Sequence, residues 1–444
     1  MNKQKEKTAS ATLLSIGTSI NGRYRLEAEI GRGGMGIIYR GYDLQDQRDV
    51  AVKVINSDTA NALTRQQFLQ EAEINARLHH PHIVALCESG LLDAGTQEPA
   101  PYMVMEWVQG TSLDHLHGLT YSRIADLGKQ ICEALEYVHS QGIVYRDLKP
   151  GNVLIEKRGF RYFVKLTDFG LARPRGSAYL ADESSLAGSF FYLAPELIAG
   201  GTADVPSDLY ALGVMLYEMI TGRVPFSDFD EQTVLSQHLT AAVPPPSQSR
   251  ADVPLALEAI VLCLLAKNPA DRFSSAQEVR EALEQVVIRP ESNTSGNLPP
   301  LPPDFVRHEN EIAQVIQLLE SNPLVTILGD GETRMLAIGA QLAEQFLDGT
   351  WWVDLSSLDK PRLVLETVHS SLGIRQDSGR SLTVSLIEYL REKNLLLLLN
   401  RCEQVLGASA QLAETILRTC PDVRILATSQ QPLNISMEKC YPPV

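Results

Sequence analysis

No apolar run in the 444-residue sequence reaches the roughly 18 residues that a membrane-spanning helix needs. The most apolar stretches, at residues 260–266 and 395–399, are much shorter, and residues 1–12 are polar and rich in lysine. We therefore expect neither a secretory signal nor a membrane span.

Cysteine is scarce: the chain has six, and none are paired at C-x-x-C spacing. This excludes the usual patterns of a zinc knuckle or a disulfide framework. Scattered cysteines read as reduced thiols, which predicts a cytoplasmic protein.

Basic residues are outnumbered, with 39 Lys and Arg against 54 Asp and Glu and a net charge of −15. Such a balance disfavours nonspecific attraction to DNA, RNA or anionic membrane, so a nucleic-acid partner is not expected. The hydrophobic content of 44% is ordinary for a globular protein, and the length predicts two or three domains.

Composition and periodicity divide the chain into four parts. Residues 1–21 predict a flexible arm, and residues 22–288 a domain that begins with strands and continues with helices. Five prolines in residues 290–303 predict a linker at 289–303, for which an SH3-type ligand is the minor alternative. Apolar runs that alternate with helical segments predict a parallel α/β domain over residues 304–444.

Inside the first domain, helical patterns follow a strand-like pattern at residues 24–54. Strands are also predicted near residues 83–88 and 102–106. Helices are predicted at residues 65–79, 120–140, 206–221, 254–266 and 275–287.

A glycine cluster at residues 31–36 fits the pattern G-x-G-x-x-G. A dinucleotide fold needs a helix after this loop, but residues 37–40 continue as a strand. The glycines therefore predict a hairpin over phosphates. Lys53 follows 22 residues after Gly31, and Glu71 follows 18 residues after Lys53, which suggests a phosphate-facing lysine held by a glutamate.

The strongest signal is YRDLKPGN at residues 145–152, with Asp-Phe-Gly beginning 16 residues after Asn152 and Ala-Pro-Glu at 194–196. With these motifs the sequence resembles bacterial Ser/Thr protein kinases of the eukaryotic, or Hanks, type. The resemblance implies an α+β two-lobed protein kinase fold over residues 22–288. It also implies ATP and Mg²⁺ as substrate and cofactor, and proteins with Ser or Thr as phosphate acceptors.

The resemblance assigns roles to five polar residues. Asp147 would accept the proton of the substrate hydroxyl, while Lys149 and Lys53 would contact phosphate. Asn152 and Asp168 would hold Mg²⁺.

The implied nucleotide pocket is larger. Glu71 would pair with Lys53, Met105 would close the back of the pocket, and the backbone from Glu106 to Val108 would form the hinge. For the apolar members, ordinary core packing is about as good an explanation. The remaining members are Ile30, Gly31, Gly33, Gly36, Ile38, Ala51 and Leu154.

Three further expectations follow from the resemblance. Tyr145 stands where the family usually has a histidine that braces the Asp-Phe-Gly backbone, and its hydroxyl could substitute. Glu196 and Arg272 should form a buried structural ion pair. Ser184 or Ser185 should be autophosphorylated and pair with Arg146, while Ser189 should shape the substrate site; ordinary loop serines are the alternative.

The last 140 residues resemble the nucleotide-binding half of signal-transduction ATPases, a group that includes NB-ARC proteins. The similarity lies in the apolar stretches at residues 324–329, 351–355, 395–403 and 426–433. The resemblance implies a truncated module, because the chain stops at Val444.

The functional residues of such a module are replaced. Gly329 and Gly331 are separated by one residue where a phosphate loop has four, and Glu332 stands in place of its lysine. Asn400 replaces an acidic residue, and Gln430 an arginine. We expect a degenerate P-loop-like domain that binds an unknown protein partner and no ATP.

Two functions remain open at this stage. The first is an active Ser/Thr protein kinase with a regulatory carboxyl-terminal module. The second is a pseudokinase scaffold without phosphoryl transfer. The presence of Lys53, Asp147, Asn152 and Asp168 favours the enzyme.

Overall fold

The computed structural model describes residues 14–33, 36–55, 62–92, 99–158, 161–177, 189–286, 296–302, 309–346, 348–374, 381–391 and 393–442. The chain divides into two compact units, the first built mainly from residues before 288 and the second mainly from residues after it. Within the described residues, no helix is both long enough and apolar enough to cross a membrane.

An antiparallel sheet opens the first unit, as the strand-like pattern predicts. Its strand order is β1-β2-β3-β4-β6-β5, and helix α1 packs against β5 and β6. The bounds are β1 (Ser19–Ile20), β2 (Tyr24–Gly33), β3 (Gly36–Asp43), β4 (Arg48–Val54), α1 (Ala62–Asn75), β5 (Leu86–Leu92) and β6 (Ala100–Glu106).

Two boundaries in this lobe differ from the predictions. The prediction of a flexible arm over residues 1–21 is wrong at its carboxyl end, because Ile20 is fully buried and β1 pairs with β2. Helix α1 ends at Asn75 and not near His79, since tighter turns follow, with the Leu78 N–H bonded to the Asn75 carbonyl.

The second lobe of this unit is mainly helical, which confirms the predicted order of a β-rich lobe followed by a helical one. Helix α4 shows how local sequence sets its ends: Asp204 and Ser207 form a capping box, and Gly222 closes the helix at φ 76°. The bounds are β7 (Gly110–Ser112), α2 (Tyr121–Ser140), β8 (Ile143–Val144), β9 (Val153–Arg158), β10 (Arg161–Leu166), β11 (Arg173–Pro174), α3 (Pro195–Ile198), α4 (Val205–Thr221), α5 (Glu231–Thr240), α6 (Leu255–Leu264) and α7 (Ala276–Glu284).

The second unit contains a five-stranded parallel sheet with the order β13-β14-β15-β12-β16. Near-continuous apolar strands suit a sheet covered on both faces, and all of β14 is buried. The bounds are α8 (Glu309–Ser321), β12 (Leu324–Leu328), α9 (Glu332–Leu342), β13 (Thr350–Asp354), α10 (Leu363–Ser371), α11 (Leu382–Leu390), β14 (Leu396–Asn400), α12 (Leu406–Thr419), β15 (Arg424–Ser429) and β16 (Glu438–Tyr441).

Part of the predicted linker packs on this sheet. Gly296 bridges to Thr350, and the Asn297 amide exchanges two hydrogen bonds with the Trp352 backbone, at 2.6 and 2.9 Å. Leu298 and Leu301 pack against the apolar core of the unit. Residues 296–302 are therefore not a free spacer, because their apolar side chains cover one side of the sheet.

Candidate active site

The centre of the site is a three-residue ion cluster. Lys53 on β4 places its Nζ 2.9 and 3.0 Å from the two carboxylate oxygens of Glu71 on α1. The same Nζ lies 3.0 Å from Oδ1 of Asp168. Helix α1 is thus held inward, and residues separated by 115 positions in the chain meet at one ammonium group.

Burial and charge act against each other in this cluster. Burial lowers the pKa of Lys53, but the Asp168 and Glu71 carboxylates outweigh it and raise that pKa. The Lys53 charge lowers the pKa of Asp168, whereas burial raises the pKa of Glu71. The Glu71 side chain is 1% exposed and that of Asp168 is 43% exposed, so only Asp168 offers an accessible oxygen to a ligand.

Asp147 carries a second polar cluster on the loop after β8. The Lys149 Nζ lies 2.8 Å from its Oδ2, and the Asn152 amide donates to the same oxygen at 2.8 Å. A further bond from Asn152 to the Asp147 carbonyl, at 2.9 Å, fixes the turn of the loop. The carboxylate is therefore oriented by two donors, one of which is a cation.

Asp208 positions this loop, and the sequence analysis missed it. Its carboxylate accepts the backbone N–H groups of Tyr145 and Arg146, at 2.8 and 2.7 Å, and contacts Nε2 of His139 at 2.8 Å. Arg146 has φ 70°, a conformation that needs support from its surroundings. The sequence did offer a signal for Asp208, which is an acidic residue at the start of the apolar run of α4. Because carboxylates are rarely buried without partners, an acidic residue in such a run predicts a buried hydrogen-bonding role.

Tyr145 does what the resemblance suggested for it. The side chain is fully buried, and its hydroxyl donates a hydrogen bond to the carbonyl of Thr167, the residue before Asp168. Its ring meets Phe169 edge to face at 4.9 Å between centroids. Burial raises the pKa of Tyr145 far above its ordinary value, so the phenol stays protonated and donates.

Most of the predicted adenine-pocket residues are not sealed in the core, and buried Met105 is the exception. Val50 and Val52 are fully buried, whereas Ala51 between them is only half-buried, so Ala51 points to the opposite face of β4. Ile38 pairs in register with Lys53. Ile38, Leu154, Glu106 and Val108 are half-buried, Ile30 is 49% exposed, and Met105 is 7% exposed.

The glycine cluster forms a hairpin, as its pattern predicts. Gly31 pairs with Ile38, and Gly33 pairs with Gly36, across β2 and β3. A Cβ at Gly36 would lie 2.3 Å from the Val54 carbonyl oxygen, so only glycine fits there. Residues 34 and 35 lie outside the described residues.

The expected ion pair of Glu196 and Arg272 is present. Two parallel bonds of 2.8 and 2.9 Å join them, and Ser207 donates to the same carboxylate at 2.7 Å. Burial raises the pKa of Glu196, but the Arg272 bond overcomes this and lowers it. Of the predicted phosphorylation sites, Ser184 and Ser185 lie outside the described residues.

Two of the replaced residues of the second unit, Glu332 and Asn400, have partners. Glu332 opens helix α9 and lies 3.7 Å from Arg401, which is also 3.8 Å from Asp330. Asn400 is 1% exposed, and its Oδ1 accepts a hydrogen bond from Thr428 at 2.8 Å. Gln430 is exposed.

The protein kinase domain family matches residues 24–286. This range covers both clusters and all the predicted pocket residues. The chain belongs to the protein kinase family. Members of this family use ATP as phosphate donor and Mg²⁺ as the metal.

The chain is similar to several curated serine/threonine-protein kinases. It is 39% identical to PknB of Mycolicibacterium smegmatis over 275 residues, 60% of this chain and 43% of that protein. It is 32% identical to PrkC of Bacillus subtilis over 325 residues, 72% of this chain and 48% of that protein. The matched segment thus spans less than half the length of these relatives.

The donor set of this kinase fits Mg²⁺ and a nucleotide triphosphate. Asp168 supplies a partly exposed carboxylate and Asn152 an amide oxygen, both hard ligands of the kind that Mg²⁺ prefers. Mg²⁺ commonly takes one or two protein ligands and completes its shell with phosphates and water. Asn152 and Asp168 are the residues that would hold it.

Proposed function

We propose that the first unit transfers the γ-phosphoryl group of ATP to Ser or Thr hydroxyls of proteins. The observation that carries this proposal is the meeting of Lys53 with Glu71 and Asp168 at 2.9 to 3.0 Å, beside an oriented Asp147. The similarity to PknB and PrkC supports the choice of Ser and Thr as acceptors.

Each side chain has a distinct task in this proposal. Lys53 neutralises phosphate charge, and Lys149 steadies the moving phosphoryl group. Asp147 orients the acceptor hydroxyl and takes its proton. Bound Mg²⁺ would neutralise charge that develops on the phosphate oxygens.

A radiolabelled phosphoryl-transfer assay tests this function. The chain is incubated with γ-labelled ATP, Mg²⁺ and a generic protein acceptor, and the product is hydrolysed to identify the labelled amino acid. We expect phosphoserine or phosphothreonine with the native chain and none with Asp147→Asn. Equal labelling by both proteins would reveal a contaminant. Tight ATP binding without any labelling would support the pseudokinase alternative.

We also propose that the second unit is a degenerate P-loop-like domain that binds a protein partner. In a working site, backbone N–H groups and a lysine surround the phosphates at a loop that joins a strand to a helix. The corresponding loop joins β12 to α9, but its carboxylates at Asp330 and Glu332 already face Arg401. The six free cysteines support a cytoplasmic location for the protein.

A binding experiment tests for the partner. The full-length chain and a matched chain ending at residue 288 are each immobilised on resin, and the proteins that they retain are compared. The proposal requires a protein that binds the full-length chain and not the shorter one. Retention of that protein by both chains would place its binding site in the kinase domain.

A further inference from the structure

Glu106 ends β6 where the proposed adenine-contacting segment begins, and its position is fixed twice. Its backbone N–H donates to the carbonyl of Ala85 at 2.9 Å. Its side-chain Oε1 accepts the N–H of the same Ala85 at 2.9 Å. The main chain and the side chain of Glu106 are thus both hydrogen-bonded to the backbone of Ala85.

The same carboxylate oxygen receives a charged partner from a different strand. The Nζ of Lys165, on β10, lies 2.6 Å from Oε1 of Glu106. Lys165 comes three residues before Asp168 in the chain. The side chains are 12% exposed for Lys165 and 27% exposed for Glu106, so water screens this short ion pair only in part.

Backbone hydrogen bonds also connect β10, which carries Lys165, to the segment that bonds to Glu106. The Leu166 N–H, next to Lys165, donates to the His82 carbonyl at 2.9 Å. The Val84 N–H returns a bond to the Leu166 carbonyl at 2.8 Å. Residues 82–85 are therefore bonded to β10 on one side and to Glu106 on the other.

We propose that Glu106 and Lys165 are positioning residues that fix the hinge backbone relative to Asp168. The pair would set the spacing between the contacts to the adenine amine and the contacts to the phosphates. This inference rests on the proposed function, because it concerns how the kinase binds its nucleotide. Neither side chain needs to touch the nucleotide for the effect.

The test separates adenine recognition from phosphoryl transfer. In Lys165→Met the hinge loses its charged link while Lys53, Asp147 and Asp168 stay in place. We expect KM for ATP to rise about tenfold and kcat to change less than about threefold. We also expect the preference for ATP over purine riboside triphosphate, which lacks the exocyclic amine, to fall at least about threefold.

Matched variants define the cause. Lys165→Arg keeps the charge and should restore most of the preference for ATP, while Glu106→Gln should behave like Lys165→Met. The double variant should be no worse than either single one, because both remove the same interaction. Lys129→Met, which removes an ammonium group 3.8 Å from Asp126 on α2, serves as the control and should leave KM and the preference unchanged.

Two results would overturn the inference. One is an unchanged preference for ATP in Lys165→Met; the other is a loss confined to kcat or to thermal stability. These outcomes differ from failure of the proposed function, in which the native chain itself would transfer no phosphate.

Discussion

Tyr145 donates its phenolic hydrogen bond to the carbonyl of Thr167, which directly precedes Asp168. The catalytic loop and the proposed metal-binding aspartate are thus joined by one buried side chain. Phe169 packs against the same ring, so both sides of Asp168 depend on Tyr145.

Removal of this hydroxyl should reduce activity without changing the acid-base groups. Tyr145→Phe leaves the Thr167 carbonyl without its partner, a loss of about 1–3 kcal/mol for a buried polar group. We expect kcat to fall about three- to tenfold and Tm to drop by several degrees. Tyr145→His should recover part of both losses because an imidazole N–H can also donate. Native values in Tyr145→Phe would refute the bracing role.

Asp208 should prove essential to the catalytic loop although it touches no substrate. Asp208→Asn turns one of two accepting oxygens into a donor that faces backbone N–H groups. We expect kcat to fall about 10- to 100-fold. The Kd for Mg-ATP should change little because Asp208 contacts neither Lys53 nor Asp168. Calorimetric titration with Mg-ATP and steady-state kinetics on one preparation provide the check. A parallel loss of nucleotide binding would indicate general unfolding instead.

Lys53→Met and Asp147→Asn should both abolish measurable turnover, with losses of about 10²- to 10⁴-fold. Their stabilities should differ. Asp147→Asn should keep Tm within about 2 °C, whereas Lys53→Met leaves the buried Glu71 carboxylate beside Asp168 without a cation.

The burial of Glu71 is the reason for the lower stability expected of Lys53→Met. The double variant Lys53→Met/Glu71→Gln removes the uncompensated charge, so its Tm should exceed that of Lys53→Met. Scanning calorimetry of the four proteins decides the point. Equal Tm values for the single and double variants would contradict the electrostatic explanation.

Acid should destabilise the helical lobe through His238. This side chain is fully buried, with Nδ1 2.8 Å from the Tyr210 hydroxyl, and burial, with a smaller effect of Lys267, lowers its pKa to about 4. The pKa in the folded state lies below the ordinary value near 6.5, so protonation favours the unfolded chain. The free energy of unfolding should fall by about 1.4 kcal/mol per pH unit from pH 6.5 toward pH 4.

Urea denaturation at pH 7.5, 6 and 5 measures this dependence. His238→Gln cannot take up the proton, so its stability should change less over the same range. Parallel curves for the two proteins would show that other groups cause the acid sensitivity.

The second unit should bind no ATP. Arg401 already pairs with the carboxylates of the loop, and the Asn400 side chain is buried and bonded to Thr428. In the full chain, Ala51→Trp should block the proposed adenine pocket of the kinase domain. Calorimetry with Mg-ATP should then give one binding event for the native chain and none for Ala51→Trp. Residual micromolar binding in the variant would show a second nucleotide site.

Much of the candidate active site could be predicted from the sequence because its residues occur in short motifs. Asp147, Lys149 and Asn152 lie within one loop, so their spacing alone predicts that they are neighbours. The glycine hairpin and the strand of Lys53 were predictable for the same reason, since turn residues and alternating strands are local signals. The Glu196–Arg272 pair was predicted from the family resemblance, not from spacing.

The supporting contacts depend on tertiary structure. Asp208 is 63 residues from Tyr145, and Lys165 is 59 residues from Glu106, so no local pattern connects them. Packing also decided that Ile20 and residues 296–302 belong to folded units, because an apolar side chain is stabilised only where a complementary surface exists. The sequence by itself determined which groups can perform the chemistry. Only the tertiary structure decided which groups hold them in place, since burial and hydrogen-bond geometry arise from segments far apart in the chain.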